Sequence, residues 1–180
     1  MKRQASRLLD WVLMLSLTAS LPGCATGGSA QLAAHGPVVG QPLPDLALRD
    51  VASGQSLSLK SLAGQVVLLD IWASWCGPCK EELPLLDEMA GRLSGTGVAI
   101  VAVSIDEDPE AMSDFLGLRK KWQLRVMHDP LRRVPSELQP ARMPTSYLVD
   151  RQGVLQKIYG GFTRADVSRI EDELKELSRL

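Results

Sequence analysis

Two cysteines, Cys76 and Cys79, are separated by two residues and closely follow an apolar run over residues 66–72. Sulfurs at this spacing can open and close a disulfide within one helical turn, which suits thiol–disulfide exchange. If a helix begins near Cys76, its unpaired N–H groups and the positive end of its dipole favour a thiolate there. Because thiolate is the attacking species, we expect Cys76 to be the nucleophile and Cys79 to resolve the mixed disulfide.

The residues around the two cysteines suit the same chemistry. Pro78 fits the first turn of a helix, where no backbone N–H bond is lost, and its fixed φ stiffens the loop between the sulfurs. Gly77 leaves the backbone open to a docking substrate. Trp75, Gly77 and Pro78 are therefore predicted to contact the substrate.

Two other interpretations of the cysteine pair stay open. A structural zinc site needs about four ligands, and the rest of the chain offers only Cys24, His35 and His128, which are far apart in sequence. An inert structural disulfide is also possible, but it would close so short a loop that it removes little chain entropy. The sequence predicts neither a metal nor any other cofactor.

The start of the chain has the pattern of an export signal. Positively charged residues precede an apolar stretch over residues 11–21, which is too short to span a bilayer comfortably. It ends in Leu21-Pro22-Gly23-Cys24, which resembles the lipobox of bacterial lipoproteins, where the cysteine is acylated after cleavage. We therefore expect a lipoprotein signal peptide over residues 1–23 and a lipid anchor on Cys24. A soluble secreted protein and an uncut membrane anchor are the alternatives.

The rest of the chain divides into a short tether and one domain. Residues 24–37 begin with small and polar residues, which predict a flexible tether, and residues 38–180 have the size of one globular domain. The predicted location is extracytoplasmic and membrane-anchored, on the periplasmic side. Ala25 after the lipobox cysteine favours the outer membrane if the organism has two membranes. The formal net charge of −1 provides no basic field for binding nucleic acid.

The apolar pattern predicts the elements that hold the cysteines in place. Leu46 and Leu48, then Leu57 and Leu59, alternate with polar neighbours on either side of residues 50–55 and predict a β-hairpin, and residues 66–72 predict a buried strand. A helix is expected over residues 77–93. Pro84 should kink this helix, because its ring removes one backbone hydrogen bond and clashes with the preceding turn.

The middle of the chain predicts a second strand and a second helix. Residues 98–105 form another apolar run, and the acidic segment Asp106-Glu107-Asp108-Pro109-Glu110 follows it. These acids could hold a cation, but Asp108 before a proline and an acid is typical of a helix N-terminus. We therefore expect a helix over residues 109–122 and then a short strand at residues 125–128.

The last third predicts a hairpin and a final helix. Residues 145–149 and 154–159 read as antiparallel strands around a tight turn at residues 150–153, and residues 164–180 carry apolar residues on one helical face. Strands and helices in this order predict an α/β fold with a mixed sheet.

Taken together, these motifs resemble the thioredoxin superfamily and, more closely, its exported, membrane-tethered TlpA/ResA-type branch, with an AhpC/TSA-Redoxin-like N-terminal region. The resemblance implies a thioredoxin-like three-layer sandwich with a mixed central sheet, an N-terminal β-hairpin extension and a helical insertion over residues 106–128. The matching segments are Val39-Gly40-Gln41-Pro42-Leu43-Pro44-Asp45, Trp72-Ala73-Ser74-Trp75-Cys76-Gly77-Pro78-Cys79, Pro84, Asp106-Glu107-Asp108-Pro109, Met143-Pro144-Thr145 and Asp150-Arg151-Gln152-Gly153.

The resemblance also implies a substrate-binding loop. Met143-Pro144 would be a cis peptide whose loop packs against Cys76 and, with Thr145, offers backbone groups to a substrate strand. Only X-Pro bonds adopt cis at modest cost, so the expectation is physically reasonable. From the residues alone, Pro144 could equally be a trans proline at the start of a strand.

Asp70 is an acid inside an otherwise apolar strand, six residues before Cys76. Burial should raise its pKa, which suits a base that takes the proton from Cys79. Thioredoxins carry an aspartate at this place, but their neighbouring lysine is replaced here by Ala102. The alternative is that Asp70 only caps the strand or makes a local hydrogen bond.

The predicted function is an extracytoplasmic thiol–disulfide oxidoreductase that reduces client protein disulfides through Cys76 and Cys79. Gly77-Pro78 between the sulfurs resembles the reducing thioredoxin loop. The resemblance implies a membrane thiol transporter as electron donor and roles in cytochrome c maturation, with apocytochromes c among the clients, or in cell redox homeostasis. A disulfide oxidase or isomerase is the first alternative.

Two further alternatives concern other classes of protein. A thiol peroxidase of the peroxiredoxin type would share the hairpin and the sheet, but Ala73 and Leu69 stand where peroxiredoxins carry a Thr or Ser and a proline. A non-catalytic partner-binding module would keep the fold and use the cysteines only incidentally.

Overall fold

A seven-stranded mixed sheet forms the centre of the molecule, in a computed structural model that describes residues 36–179. Its strand order is β2-β1-β5-β4-β3-β6-β7. The strands are β1 (Ala47–Asp50), β2 (Ser56–Ser58), β3 (Val66–Trp72), β4 (Val98–Ser104), β5 (Arg125–His128), β6 (Thr145–Val149) and β7 (Leu155–Tyr159). The predicted signal segment, Cys24 and the tether up to residue 35 lie outside the described residues.

The centre of the sheet is parallel and buried on both faces. Strands β3 and β4 pair in parallel from Val66 opposite Val98, and every residue of β3 is buried. Side chains alternate between the faces of a strand, so a strand covered on both sides has to be apolar throughout. Asp70 is the one residue of β3 that breaks this requirement.

Helices cover the two faces of the sheet. They are α1 (Gly77–Arg92), α2 (Pro109–Gly117), α3 (Arg133–Leu138) and α4 (Val167–Arg179). One apolar cluster lies between the sheet and the helices α1, α2 and α4, and the other lies between the sheet, α3 and the N-terminal segment. Two covered faces around a mixed sheet confirm the predicted α/β three-layer architecture. Within the described residues no helix is long and apolar enough to cross a membrane.

The N-terminal hairpin of β1 and β2 is confirmed, and it extends the sheet because β1 also pairs antiparallel with β5. The prediction that Leu59 continues the second strand is wrong. Residues Leu59–Leu62 form a 3-10 turn, because the Ser58 hydroxyl oxygen accepts the N–H of Lys60 at 3.0 Å and caps it. The helix α1 continues through Pro84 from Gly77 to Arg92.

The helix predicted over residues 109–122 ends earlier, at Gly117. The Asp87 carboxylate on α1 accepts the backbone N–H groups of Gln123 and Leu124 at 2.5 and 3.2 Å, and it pairs with Arg119 at 2.7 Å. These bonds tie the chain after Gly117 to α1 in a non-helical conformation.

Two other helix boundaries differ from expectation. Sequence analysis missed α3, which has six residues and therefore too few turns to show a periodic pattern. The Asp129 carboxylate stabilises the first turn of α3, because its Oδ2 accepts the N–H of Val134 at 2.7 Å. The last helix begins at Val167 rather than at residue 164, because Asp166 accepts the N–H and the hydroxyl of Thr163 in a turn.

Candidate active site

The sulfur of Cys76 lies at the N-terminus of α1. Cys76 is the N-cap of the helix, and the backbone N–H of Cys79 donates to its Sγ at 3.2 Å. Pro78 occupies the first turn, as predicted. The structure joins Cys76 and Cys79 in a disulfide with their Cα atoms 5.3 Å apart. A capping N–H and the helix dipole both stabilise negative charge on this sulfur.

The two sulfurs differ in their access to solvent. Cys76 is 6% exposed and Cys79 is 0% exposed, so a partner can reach only the first sulfur. Trp75 beside it is 65% exposed, and Gly77 and Pro78 are also exposed. The three residues predicted to contact substrate therefore form the open surface around Cys76.

A buried carboxylate holds the loop that leads into Cys76. Both oxygens of Asp106 accept the Ser74 N–H at 3.0 Å, and Asp106 also accepts the hydroxyls of Ser74 and Ser104, each at 2.7 Å. These bonds fasten the loop to the end of β4. Sequence analysis did not single out Asp106 for this role. Its expectation that Asp108 caps a helix is confirmed, because Asp108 accepts the N–H of Glu110 at 2.9 Å.

The bond between Met143 and Pro144 is cis, as the resemblance implies. Pro144 is buried at the start of β6, and Met143 is half-buried. Thr145 is 3% exposed, and its hydroxyl donates to the carbonyl of Arg142 at 2.7 Å, so its side chain braces the loop from inside.

A groove of about 650 Å³ runs between the start of α1, the cis-proline loop and residues 160–166. Gly161 allows these segments to approach each other. Its φ is +80°, and a Cβ there would lie 3.3 Å from Pro144 Cγ and 3.4 Å from Glu82 Oε2. A side chain at this position would therefore meet both a strained backbone and a crowded space.

Asp70 is 1% exposed and lies in β3 between Ala102 on β4 and Ser146 on β6. The hydroxyl of Ser146 donates to Asp70 Oδ1 at 2.8 Å, whereas Oδ2 has no hydrogen-bond partner among residues 36–179. Burial raises the pKa of Asp70 well above its usual value, and the nearby charge of Glu82 raises it further. The predicted direction of this pKa shift is confirmed.

Glu82 is a second buried acid at the site, and sequence analysis missed it. It is 3% exposed, its Oε2 accepts the N–H of Phe162 at 3.1 Å, and its Oε1 lies 3.4 Å from the Ser146 hydroxyl. Burial raises the pKa of Glu82 from 4.5 to about 7. Ser146 thus contacts both carboxyl groups, and their protonation is shared between them.

The position of Glu82 relative to Cys79 follows from helix geometry. Residues three apart on a helix are neighbours on one face, so Glu82 and Cys79 lie on the same buried face of α1. The helical pattern of the sequence already indicated that Glu82 is buried. Glu82 falls on the same face as the apolar Leu83 and Leu86, where an acid is out of place unless it has a function.

The site combines an accessible sulfur at a helix start, a second sulfur shielded behind it and two buried carboxyl groups with raised pKa values. Such a set can carry out nucleophilic exchange at Cys76 and proton transfer at Cys79. Within the part of the chain that the structure describes, no three possible metal ligands come together. Cys24, the predicted lipid attachment site, lies outside that part.

The chain is similar to known proteins over most of its length. A family profile described as Redoxin matches residues 38–174. A thiol-disulfide oxidoreductase ResA of Bacillus cereus is 32% identical over 129 residues, which are 70% of this chain and 72% of that protein.

Two solved structures extend the comparison. A Chlorobium tepidum chain described as a thiol:disulfide interchange protein DsbE has a TM-score of 0.72 and 32% identity, and covers 79% of this chain and 99% of its own. The pneumococcal exposed lipoprotein thioredoxin Etrx1 of Streptococcus pneumoniae has a TM-score of 0.62 and 30% identity. The match covers 74% of this chain and 100% of the pneumococcal chain. Each of these names describes a thiol–disulfide or thioredoxin protein.

Proposed function

The chain belongs to the Redoxin family and is a thiol–disulfide oxidoreductase of the TlpA/ResA type, and we propose that it reduces disulfides of client proteins outside the cytoplasm. One observation carries the proposal. The accessible Cys76 sulfur caps α1 and accepts the N–H of Cys79, while two acids with raised pKa values, Asp70 and Glu82, are buried in β3 and α1 and share contact with Ser146. An inert structural disulfide would need neither feature.

The first step is attack by the reduced enzyme on a client disulfide. Cys76 thiolate bonds to one client sulfur, and the client S–S bond breaks, releasing the other client sulfur as a thiolate. The product is a mixed disulfide between Cys76 and the client. The capping N–H of Cys79 and the helix dipole stabilise the attacking thiolate before this step.

The second step releases the client. The Cys79 thiol loses its proton to the Asp70 and Glu82 pair, and the resulting thiolate attacks Cys76 Sγ. The Cys76–Cys79 disulfide forms as the mixed disulfide breaks, and the second client sulfur leaves as a thiolate. Two electrons have then passed from the enzyme to the client, whose two thiolates take up two protons.

The groove and the open surface around Cys76 give the client a place to bind. An extended client segment would lie along Met143 and Pro144, whose backbone groups the resemblance assigns to substrate binding, with the exposed Trp75, Gly77 and Pro78 beside the Cys76 sulfur. Main-chain bonds of this kind hold a segment without selecting its sequence strongly. The enzyme would therefore accept more than one client.

The proposed direction is reduction, and the oxidised enzyme needs electrons to work again. The Gly77-Pro78 pair between the sulfurs supports this direction, since it matches the reducing thioredoxin loop. By resemblance to TlpA/ResA-type proteins, we extend the proposal to a membrane thiol transporter as the electron donor and to apocytochromes c among the clients.

The reduction potential of the Cys76 and Cys79 pair tests the direction. We expect a value near that of thioredoxin, about −270 mV, because Gly77-Pro78 between the sulfurs gives a loop of the reducing type. Equilibration with glutathione or dithiothreitol redox buffers, read by alkylation and mass spectrometry, measures it. A value near that of a strong oxidant, about −120 mV, would assign the protein to the oxidases instead.

We also propose that the domain is anchored to a membrane by a lipid on Cys24, with outer-membrane placement favoured by Ala25 if the cell has two membranes. The signal pattern over residues 1–23 supports this, and the similar pneumococcal protein is described as an exposed lipoprotein. Cys24→Ser should lose incorporated radiolabelled fatty acid and leave the membrane fraction. Its disulfide reductase activity should stay at the wild-type level. Fatty-acid label on Cys24→Ser, or no label on the wild type, would exclude this anchor.

A further inference from the structure

Arg142 stands directly before the cis-proline loop, with its side chain exposed on the wall of the groove. Among residues 36–179 no carboxylate lies within salt-bridge distance of its guanidinium, and the loop uses only its backbone carbonyl. Arg142 is thus a charged group at the substrate-binding loop with no partner in this part of the chain.

The backbone at Gly160 makes room for this guanidinium. A Cβ at Gly160 would lie 2.8 Å from Arg142 Nε and 3.0 Å from its Cζ, so the arginine lies across a bare glycine. Any other residue there would push the arginine aside. The glycine therefore allows the charge to stay close to Pro144 and to the mouth of the groove.

The other charges around the groove leave the cis-proline side positive. Asp166 accepts hydrogen bonds from Thr163 and Arg169. The buried Glu82 accepts the N–H of Phe162 and lies near the Ser146 hydroxyl. Arg164 is exposed and has only a 3.4 Å contact with Glu88. Glu81 is exposed, but it projects from α1 on the other wall of the groove.

We propose that Arg142 is a specificity-determining residue, which pairs with an acidic side chain next to the cysteine of an extended client segment. The inference rests on the proposed function, because the client must lie along Pro144 to bring its acid to the guanidinium. An arginine with free donors binds a carboxylate through two parallel hydrogen bonds. The preferred clients are therefore disulfides in acidic surroundings.

A matched pair of synthetic peptides tests this preference. Both contain the same internal disulfide, and the residues flanking each cysteine are Glu in one peptide and Gln in the other. In low salt the reduced wild-type enzyme should favour the Glu peptide by up to about fivefold in kcat/KM, the upper end expected for an exposed ion pair. Arg142→Gln should bring this ratio close to one, Arg142→Glu should invert it, and Arg142→Lys should keep part of it.

Three controls separate a local contact from general charge. Arg49→Glu changes the net charge as much as Arg142→Glu does, but Arg49 is on β1, four strand positions from β6 and roughly 19 Å away. The ratio of kcat/KM between the Glu and Gln peptides in Arg49→Glu should match that of the wild type. Gly160→Ala should reduce the ratio although Arg142 is intact, because the new methyl displaces the guanidinium. Salt at about 1 M should also reduce it.

The possible outcomes distinguish this inference from the proposed function. A wild-type ratio near one, or a ratio that survives Arg142→Gln, would overturn the role of Arg142 while leaving the reductase intact. Failure of the reduced wild-type enzyme to reduce either peptide would instead count against the proposed reduction of client disulfides.

Discussion

Replacing Cys79 by alanine should convert the enzyme into a trap that holds its client. Cys76 stays at the start of α1 as the more accessible sulfur of the pair and can still attack, but the fully buried sulfur that completes the exchange is gone. The variant should accumulate a mixed disulfide, and multiple-turnover reduction should fall by at least about 10³-fold. Non-reducing electrophoresis followed by mass spectrometry of the trapped species measures this and identifies the client.

The matched control is Cys76→Ser, which should lose activity to the same extent without forming any mixed disulfide. Alkylation by iodoacetamide gives a second check on the reduced wild-type protein. Cys76 should react faster near neutral pH than cysteine in a short peptide, because the helix start stabilises its thiolate. Equal rates for the two thiols, or a trapped client in Cys76→Ser, would contradict the assignment of Cys76 as the nucleophile.

Removing the acid at Glu82 should slow client release strongly and should stabilise the folded protein at alkaline pH. In Glu82→Gln the buried amide can still accept the Phe162 N–H, but it cannot take a proton from Cys79. Loss of a general base typically costs about 10²- to 10⁴-fold in rate. Stopped-flow measurement should show normal formation of the mixed disulfide and slow resolution. Asp70→Asn should slow the same step.

The pH dependence of stability follows from the raised pKa of Glu82. The folded state holds the proton of Glu82 up to a pKa of about 7, against 4.5 in the unfolded chain. The protonated Glu82 side chain therefore makes its full contribution to the stability of the folded state below pH 4.5, and this contribution is lost as the pH rises through 7. At pH 8 Glu82→Gln should have a free energy of unfolding up to about 3 kcal/mol higher than the wild type, and this advantage should vanish at pH 4.

Urea unfolding at pH 4 and pH 8 measures the difference between the two proteins. Glu81→Gln is the matched control, because Glu81 is the preceding residue on the same helix but is exposed. It should show no comparable change between the two pH values. If the advantage of Glu82→Gln were the same at both, ionisation of Glu82 would not be its cause.

Local patterns were enough to place the main elements and the reactive pair. The strands β3 and β5 have the predicted bounds, because continuous apolar runs and their flanking polar residues are properties of neighbouring positions. The same holds for Cys76 at the start of a helix with Pro78 in its first turn. Helix ends were less predictable. The end of α2 depends on Asp87, which is remote in sequence from the segment it holds.

The sequence alone determined the identity of the two sulfurs, their place at a helix start and the fold around them, because these depend on residue types at short spacing. Only the tertiary structure decided which groups surround them. Ser146 reaches Asp70 and Glu82 from 76 and 64 positions away, and Asp106 holds Ser74 from 32 positions away. The contact of Arg142 with Gly160 likewise joins residues that are distant in the sequence. Burial and contact between distant segments set these charges and pKa values, and both exist only once the chain is folded.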